Sequence, residues 1–228
     1  MVTISKNEAD APHSFFLISL NAIEGKTRVL RLPSVCILSN SGQDKIILKE
    51  RFEKSGASAC AKAISQYFNI NVSRYIAFTD QSFISFIDLF NPTESDILED
   101  LNETDRKNDI YIKIDKGRRL LGGFMMLDIF AYTKWEGGAC AGLFESSRVL
   151  CDFLSQNGRE ILKAQNFILA NARTNLSALD FENHRELISY MFSLPDANES
   201  IKIYGEYQLE ETQFVLWSSS KTKIAALF

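Results

Sequence analysis

The sequence predicts an α/β protein. Apolar, strand-like runs open and close the chain, helical periodicity fills its middle, and no linker separates one part from another. With 228 residues, 46% of them hydrophobic, and only four prolines, the chain is long enough to build a substantial core. It reads as one domain over 1–228, with 1–12 a flexible N-terminal tail.

The run "SFFLISLNA" (14–22) is almost continuously apolar, as a strand buried on both faces would be. A turn around Gly25 leads into "TRVLRLP" (27–33), so the two form a hairpin. Pro33 interrupts the apolar run 30–38, after which Val35, Cys36, Ile37 and Leu38 follow. From Gly56 the period becomes helical, with Cys60, Ala63, Ile64, Tyr67 and Phe68 on one face. The segment 73–79 is a short strand. The segment 80–90 is a helix with Phe83, Phe86, Ile87 and Phe90 inward, ended by Asn91-Pro92.

Residues 93–109 are the most acidic of the chain and rich in turn formers, so the run from Glu94 to Asp105 is expected to be a solvated loop. "IYIKI" (110–114) alternates as a half-buried strand. Residues 120–132 form a buried helix after Gly122-Gly123, and 134–142 a glycine-rich loop. Helices follow over 143–156 and 159–171, with Asn157-Gly158 as the break. Ser177 and Asp180 cap a helix that runs to about Leu194, and 201–219 closes the chain as a β-hairpin.

Composition excludes several functions. The net charge is −4 with no basic stripe, against a nucleic-acid surface. Four scattered cysteines and only two histidines, His13 and His184, argue against a zinc site. Cys36, Cys60 and Cys151 sit among apolar neighbours and read as unpaired core thiols, leaving Cys140 as the reactive one. No run reaches the roughly 20 apolar residues of a membrane span, and the polar opening residues do not form a signal peptide. Any anchor is expected upstream. Glycines 137, 138 and 142 fit no phosphate-loop pattern.

The order of segments carries one further reading. "FFLISLNAIEGKTRVLRLP", then "KIILKERFEKSGASACAKAISQYFNINVSRYIAF", "TDQSFISFIDLF", a helix ending in "AYTK", a glycine-rich loop and "NARTNLSALDF" resemble the LytR–CpsA–Psr cell-wall proteins, from about residue 13 onward. The resemblance implies a three-layer α/β/α sandwich with a mixed central sheet. It also implies an extracytoplasmic, cell-envelope location. Family members transfer glycopolymers from a polyprenyl-pyrophosphate carrier to peptidoglycan, with magnesium on the pyrophosphate. Their pocket buries the prenyl chain.

The chain departs from the family at its charged positions. Where the family's proline is followed by arginine and aspartate, Ser34 and Val35 stand here. The two loop arginines are replaced by Lys134 and Glu136, and His13 or Ser14 stands where an aspartate is expected. Phosphoryl transfer rests on positive charge around the phosphates, each such group contributing on the order of 2–4 kcal/mol. Transfer activity and a cofactor are therefore not expected. What remains is a candidate anion site at Lys134, Arg148 and Arg118, and an apolar pocket around Phe83, Phe86, Phe124 and Phe130. For the three cations a solvated surface role is the commoner explanation, and for the phenylalanines core packing is.

The leading expectation is a degenerate domain that binds a polyprenyl-type lipid or an envelope protein. One alternative is an active magnesium-dependent phosphotransferase with a rearranged cation site. Another is an envelope interaction module whose pocket is filled.

Overall fold

The computed structural model describes residues 1–39, 45–105, 110–194, 197–208 and 212–228. In chain order it opens with β1 (Val2–Ser5), β2 (Ser14–Asn21), β3 (Lys26–Pro33), β4 (Ile37–Leu38) and β5 (Ile46–Ile47). Then come α1 (Leu48–Phe68), β6 (Ile76–Thr79) and α2 (Asp80–Ile87). Four strands follow, β7 (Thr93–Ile97), β8 (Leu101–Asp105), β9 (Ile110–Ile114) and β10 (Gly117–Leu121). The helical middle holds α3 (Gly123–Ala131), α4 (Gly138–Asn157), a 3-10 turn (Gly158–Ala164) and α5 (Gln165–Asn171). The chain ends with β11 (Arg173–Thr174), α6 (Ala178–Asn183), α7 (Arg185–Met191), β12 (Asn198–Ser200), β13 (Gly205–Gln208), β14 (Gln213–Leu216) and α8 (Ser218–Leu227).

Six strands make the central sheet in the order β11-β6-β1-β2-β3-β12. β1 runs parallel to β6 and β12 parallel to β3, while the other pairs are antiparallel, so the sheet is mixed. Alternation along the strands sends side chains into two cores. Ile4, Phe16, Val29 and Phe78 face one cluster with α2, α3 and α4; Phe15, Leu17, Leu30 and Leu32 face another with α1 and α8. The result is the expected α/β/α sandwich. The hairpin of β2 and β3 pairs in full register from Ser14 with Pro33 to Asn21 with Lys26.

Three expectations are corrected. Residues 1–12 are not a flexible tail, because β1 lies between β2 and β6 with Ile4 fully buried. A strand as short as this draws its stability from partners far along the chain, which local composition does not reveal. The acidic run is not a loop either. β7 pairs with β10 and β8 with β9, and Thr93, Ser95, Ile97, Leu101 and Glu103 turn inward on the alternation of a strand. The glycine-rich segment is a loop only through Gly137, beyond which Cys140 and Gly142 already belong to α4.

Other details refine the reading. α1 starts at Leu48, and Gly56 at φ 75° breaks it, a conformation that suits glycine. Ser177 and Asp180 form the expected reciprocal cap, but the helix after them is divided at His184. The closing hairpin is shorter than expected and is followed by α8. All four cysteines are free.

Candidate functional site

Between the sheet and the helices of the first core lies an apolar cavity of about 330 Å³. Its floor is sheet: Phe16, Ile18 and Leu20 of β2 and Ile76 and Phe78 of β6. Its walls come from Phe83 and Phe86 on α2, Leu150, Phe153 and Leu154 on α4, and Ile188 on α7. Phenylalanine rings build it by packing on each other. Phe78 meets Phe83 at 6.1 Å and Phe86 at 5.2 Å, and Phe86 meets Phe153 at 6.1 Å. Arg74, Asp180 and His184 supply the polar groups along its lining. Arg74 Nη2 donates to Asp180 Oδ1 at 2.6 Å; the hydrogen bond from the Ser177 hydroxyl first, and then this one, holds the Asp180 carboxyl down to about 2.

The four expected pocket phenylalanines divide. Phe83 and Phe86 line the cavity. Phe130 is buried behind it, 5.0 Å from Phe16 and 5.8 Å from Phe83. Phe124 is not part of the pocket: on the first turn of α3 it is 62% exposed.

None of the three candidate cations lines the cavity, and each is held by carboxylates. Arg148 binds Glu145 at 2.8 Å, Asp152 at 2.9 Å, the Ser95 hydroxyl and the Asp96 carbonyl, tying α4 to β7. Arg118 pairs with Glu94 across the β7–β10 ribbon, and Lys134 lies 3.9 Å from Glu103. Glu103 is itself a buried brace, accepting from the Thr133 amide and hydroxyl. The backbone amide of Glu136 donates to Glu99. Ser34 and Val35 sit in the turn after β3, where Lys49 N donates to the Ser34 carbonyl and Phe214 N to that of Val35. That turn serves the second core rather than the cavity.

A cation that sequence reasoning passed over stands beside the cavity wall. Arg31 leaves β3 on the face of the first core, 5.8 Å above the rings of both Phe16 and Phe130. Its Nη1 donates to Ser146 Oγ at 2.7 Å and its Nη2 to Ser14 Oγ at 3.1 Å. Ser14 Oγ lies 3.0 Å from His13 Nδ1, and His13 Nε2 lies 2.8 Å from Asp80 Oδ1. Ser14 is fully buried, so this Ser–His–Asp chain positions Arg31 and exposes no nucleophile. Burial pulls the Arg31 guanidinium down to about 10.

No protein-family model matches the chain, and no curated protein matches it. Solved structures match it over nearly its whole length. A protein of Eubacterium siraeum assigned as a transcription regulator superposes with a TM-score of 0.84 at 18% identity, covering 99% of this chain and 88% of the other. The sheet with helices on both faces is also the fold of the LytR–CpsA–Psr wall teichoic acid transferases. Two of these are B. subtilis TagV, with a TM-score of 0.72 and 16% identity over 99% of this chain and 92% of the other, and B. subtilis TagT. For TagT the TM-score is 0.71 at 15% identity, over 99% and 87% of the two chains. TagT has also been solved bound to LI-WTA. At identities this low, the likeness is one of fold.

Proposed function

We propose that this chain is an extracytoplasmic cell-envelope domain of the LytR–CpsA–Psr type that binds a polyprenyl-type chain and transfers nothing. The observation that carries this reading is the apolar cavity between sheet and helices, which falls within the usual size of small-molecule sites. Burial of each methylene there contributes about 0.8 kcal/mol, so a long apolar chain binds without help from charge. A collapsed interior would have suited an interaction module, and the cavity favours a ligand instead. The cations Lys134, Arg148 and Arg118 are occupied by carboxylates away from the cavity, which supports the non-catalytic reading over the phosphotransferase.

Titration with geranylgeraniol tests this directly. Saturable binding is expected, with loss in Phe83→Asp and in Leu20→Asp and no change in Lys134→Ala. A folded Phe83→Asp protein that still binds the alcohol would refute the pocket. Steady phosphate release from geranylgeranyl pyrophosphate with magnesium, above a heat-killed control, would refute the absence of chemistry.

A further inference from the structure

A second cavity, of about 280 Å³, opens where β1 and β6 end. The two strands run parallel, and Ser5 and Thr79, paired at the last position of their ladder, both line it. Ligands of open α/β sheets bind in the crevice outside the carboxyl ends of such strands. Phe52 of α1 and Ala77 of β6, which pack with the second core, give this cavity a small apolar patch. Among the described residues it shares only Phe78 with the larger apolar cavity. Its rim carries two exposed, opposite charges, Glu8 and Arg173. Arg173 Nη1 donates to the Glu8 backbone carbonyl at 3.4 Å, which sets the guanidinium beside Glu8 without pairing the two charges. Neither group has a counter-ion among the described residues. Asn171 Nδ2 donates to the Phe167 carbonyl at 3.0 Å, which leaves its Oδ1 as an open acceptor. Ser5 Oγ donates to the Asn7 carbonyl at 2.9 Å and can still accept.

We propose that this cavity binds a free α-amino acid with an apolar side chain, held as its zwitterion. Arg173 takes the α-carboxylate, because its Nε and Nη2 remain open and a guanidinium offers parallel donors to two oxygens. The α-ammonium, with three donors, is met by the Glu8 carboxylate and Asn171 Oδ1. The side chain lies on Phe52 and Ala77. A ligand carrying both charges satisfies both rim groups at once, whereas an anion alone at Arg173 faces the like charge of Glu8. Size agrees: the cavity is a little smaller than the roughly 300–1,000 Å³ of sites for drug-sized molecules, the scale of one amino acid rather than of a peptide or lipid. The site stands apart from the function proposed above and does not depend on it.

The test is calorimetric titration of the full chain at neutral pH with L-leucine, glycine, N-acetyl-L-leucine and L-leucinamide. Leucine is expected to bind saturably, and glycine at least about tenfold more weakly, because it has no side chain to bury on Phe52. Each capped leucine lacks one charge and should also lose at least about tenfold, as should Glu8→Gln and Arg173→Gln. Both residues are exposed, so both variants are expected to keep the native circular-dichroism spectrum. Should either fail to fold, the capped leucines carry the same comparison on the native chain. No binding of leucine, or leucine binding unchanged in both variants, would overturn the site. N-acetyl-L-leucine binding as tightly as leucine would reduce it to an anion site, and leucinamide doing so to a cation site; either overturns the zwitterion. Loss of leucine binding in Phe83→Asp would move the ligand to the apolar cavity and overturn the proposal as well.

Discussion

Replacing Arg31 by methionine should make the ligand-free protein more stable. Burial pulls the guanidinium down from its ordinary range to about 10. Keeping it charged at neutral pH therefore costs the fold about 3 kcal/mol, at about 1.4 kcal/mol for each tenfold change. The sign is that of a base depressed by folding: the penalty is complete below about pH 10 and shrinks above it, as the folded guanidinium loses its proton before the unfolded one does. Against it stand the two hydrogen bonds to Ser146 and Ser14, each contributing about 1 kcal/mol. Neither serine is orphaned by the change, because Ser146 Oγ still donates to the Gly142 carbonyl at 2.8 Å and Ser14 Oγ keeps His13. Methionine fills much of the same volume and its sulfur packs well between rings. The net expectation is a gain of about 1 kcal/mol, or roughly 2–4 °C in the melting temperature of a chain this long. Thermal and urea unfolding of both proteins, without phosphate in the buffer, measures it. A melting temperature lowered by several degrees, with the native circular-dichroism spectrum retained, would show that Arg31 is a net structural brace and would refute the reasoning.

Other expectations follow from single contacts. The Asp180 carboxyl, held near 2 by Ser177 and Arg74, stabilises the α6 cap fully above its ordinary 3.8 and loses that effect as pH falls through about 2; carboxyl NMR should find that midpoint, and Ser177→Ala should raise it. Gly123→Ala places a Cβ 2.5 Å from the Ile84 carbonyl oxygen and 2.6 Å from its Cα, forcing α3 away from α2. Urea unfolding should show a loss of about 1–3 kcal/mol. A thiol reagent should modify Cys140 rapidly in the native protein and all four cysteines after denaturation. Burial holds Cys36, Cys60 and Cys151 up to about 12, where little thiolate forms.

The sequence is legible wherever an element is long and its period unbroken. The β2–β3 hairpin and the inward Phe83, Phe86 and Ile87 of α2 could be read from their apolar spacing alone, whereas Phe124 of α3 turned outward. β1 could not, because its Thr3 and Ser5 are polar yet buried and its two neighbours come from residues after it. The β7–β10 and β8–β9 ribbons were hidden for a similar reason: their inward positions include Thr93, Ser95 and Glu103, so alternation of polarity gave no signal. At the site, the apolar wall was visible in the phenylalanines of α2. Its cation was not, since an arginine in an alternating strand ordinarily marks the solvent face, and only the overlying α4, with Ser146 and Ser147, turns that face into an interior.

The connectivity of the sheet also bears on how the chain comes to be built. β3 finds its outer neighbour, β12, only when Asn198 to Ser200 arrive to pair with Thr27 to Val29. During synthesis the hairpin of β2 and β3 is complete early, yet the far edge of β3 keeps its backbone donors and acceptors unmatched until residues 198–200, some 170 positions later, have emerged. Such an edge is a template for any other extended segment, including the same hairpin on a neighbouring nascent chain. Arg28 and Arg31 stand on that strand, and unpaired strands carrying charge join poorly with copies of themselves. The buried cation that burdens the finished fold thus also guards the edge while it waits for its partner.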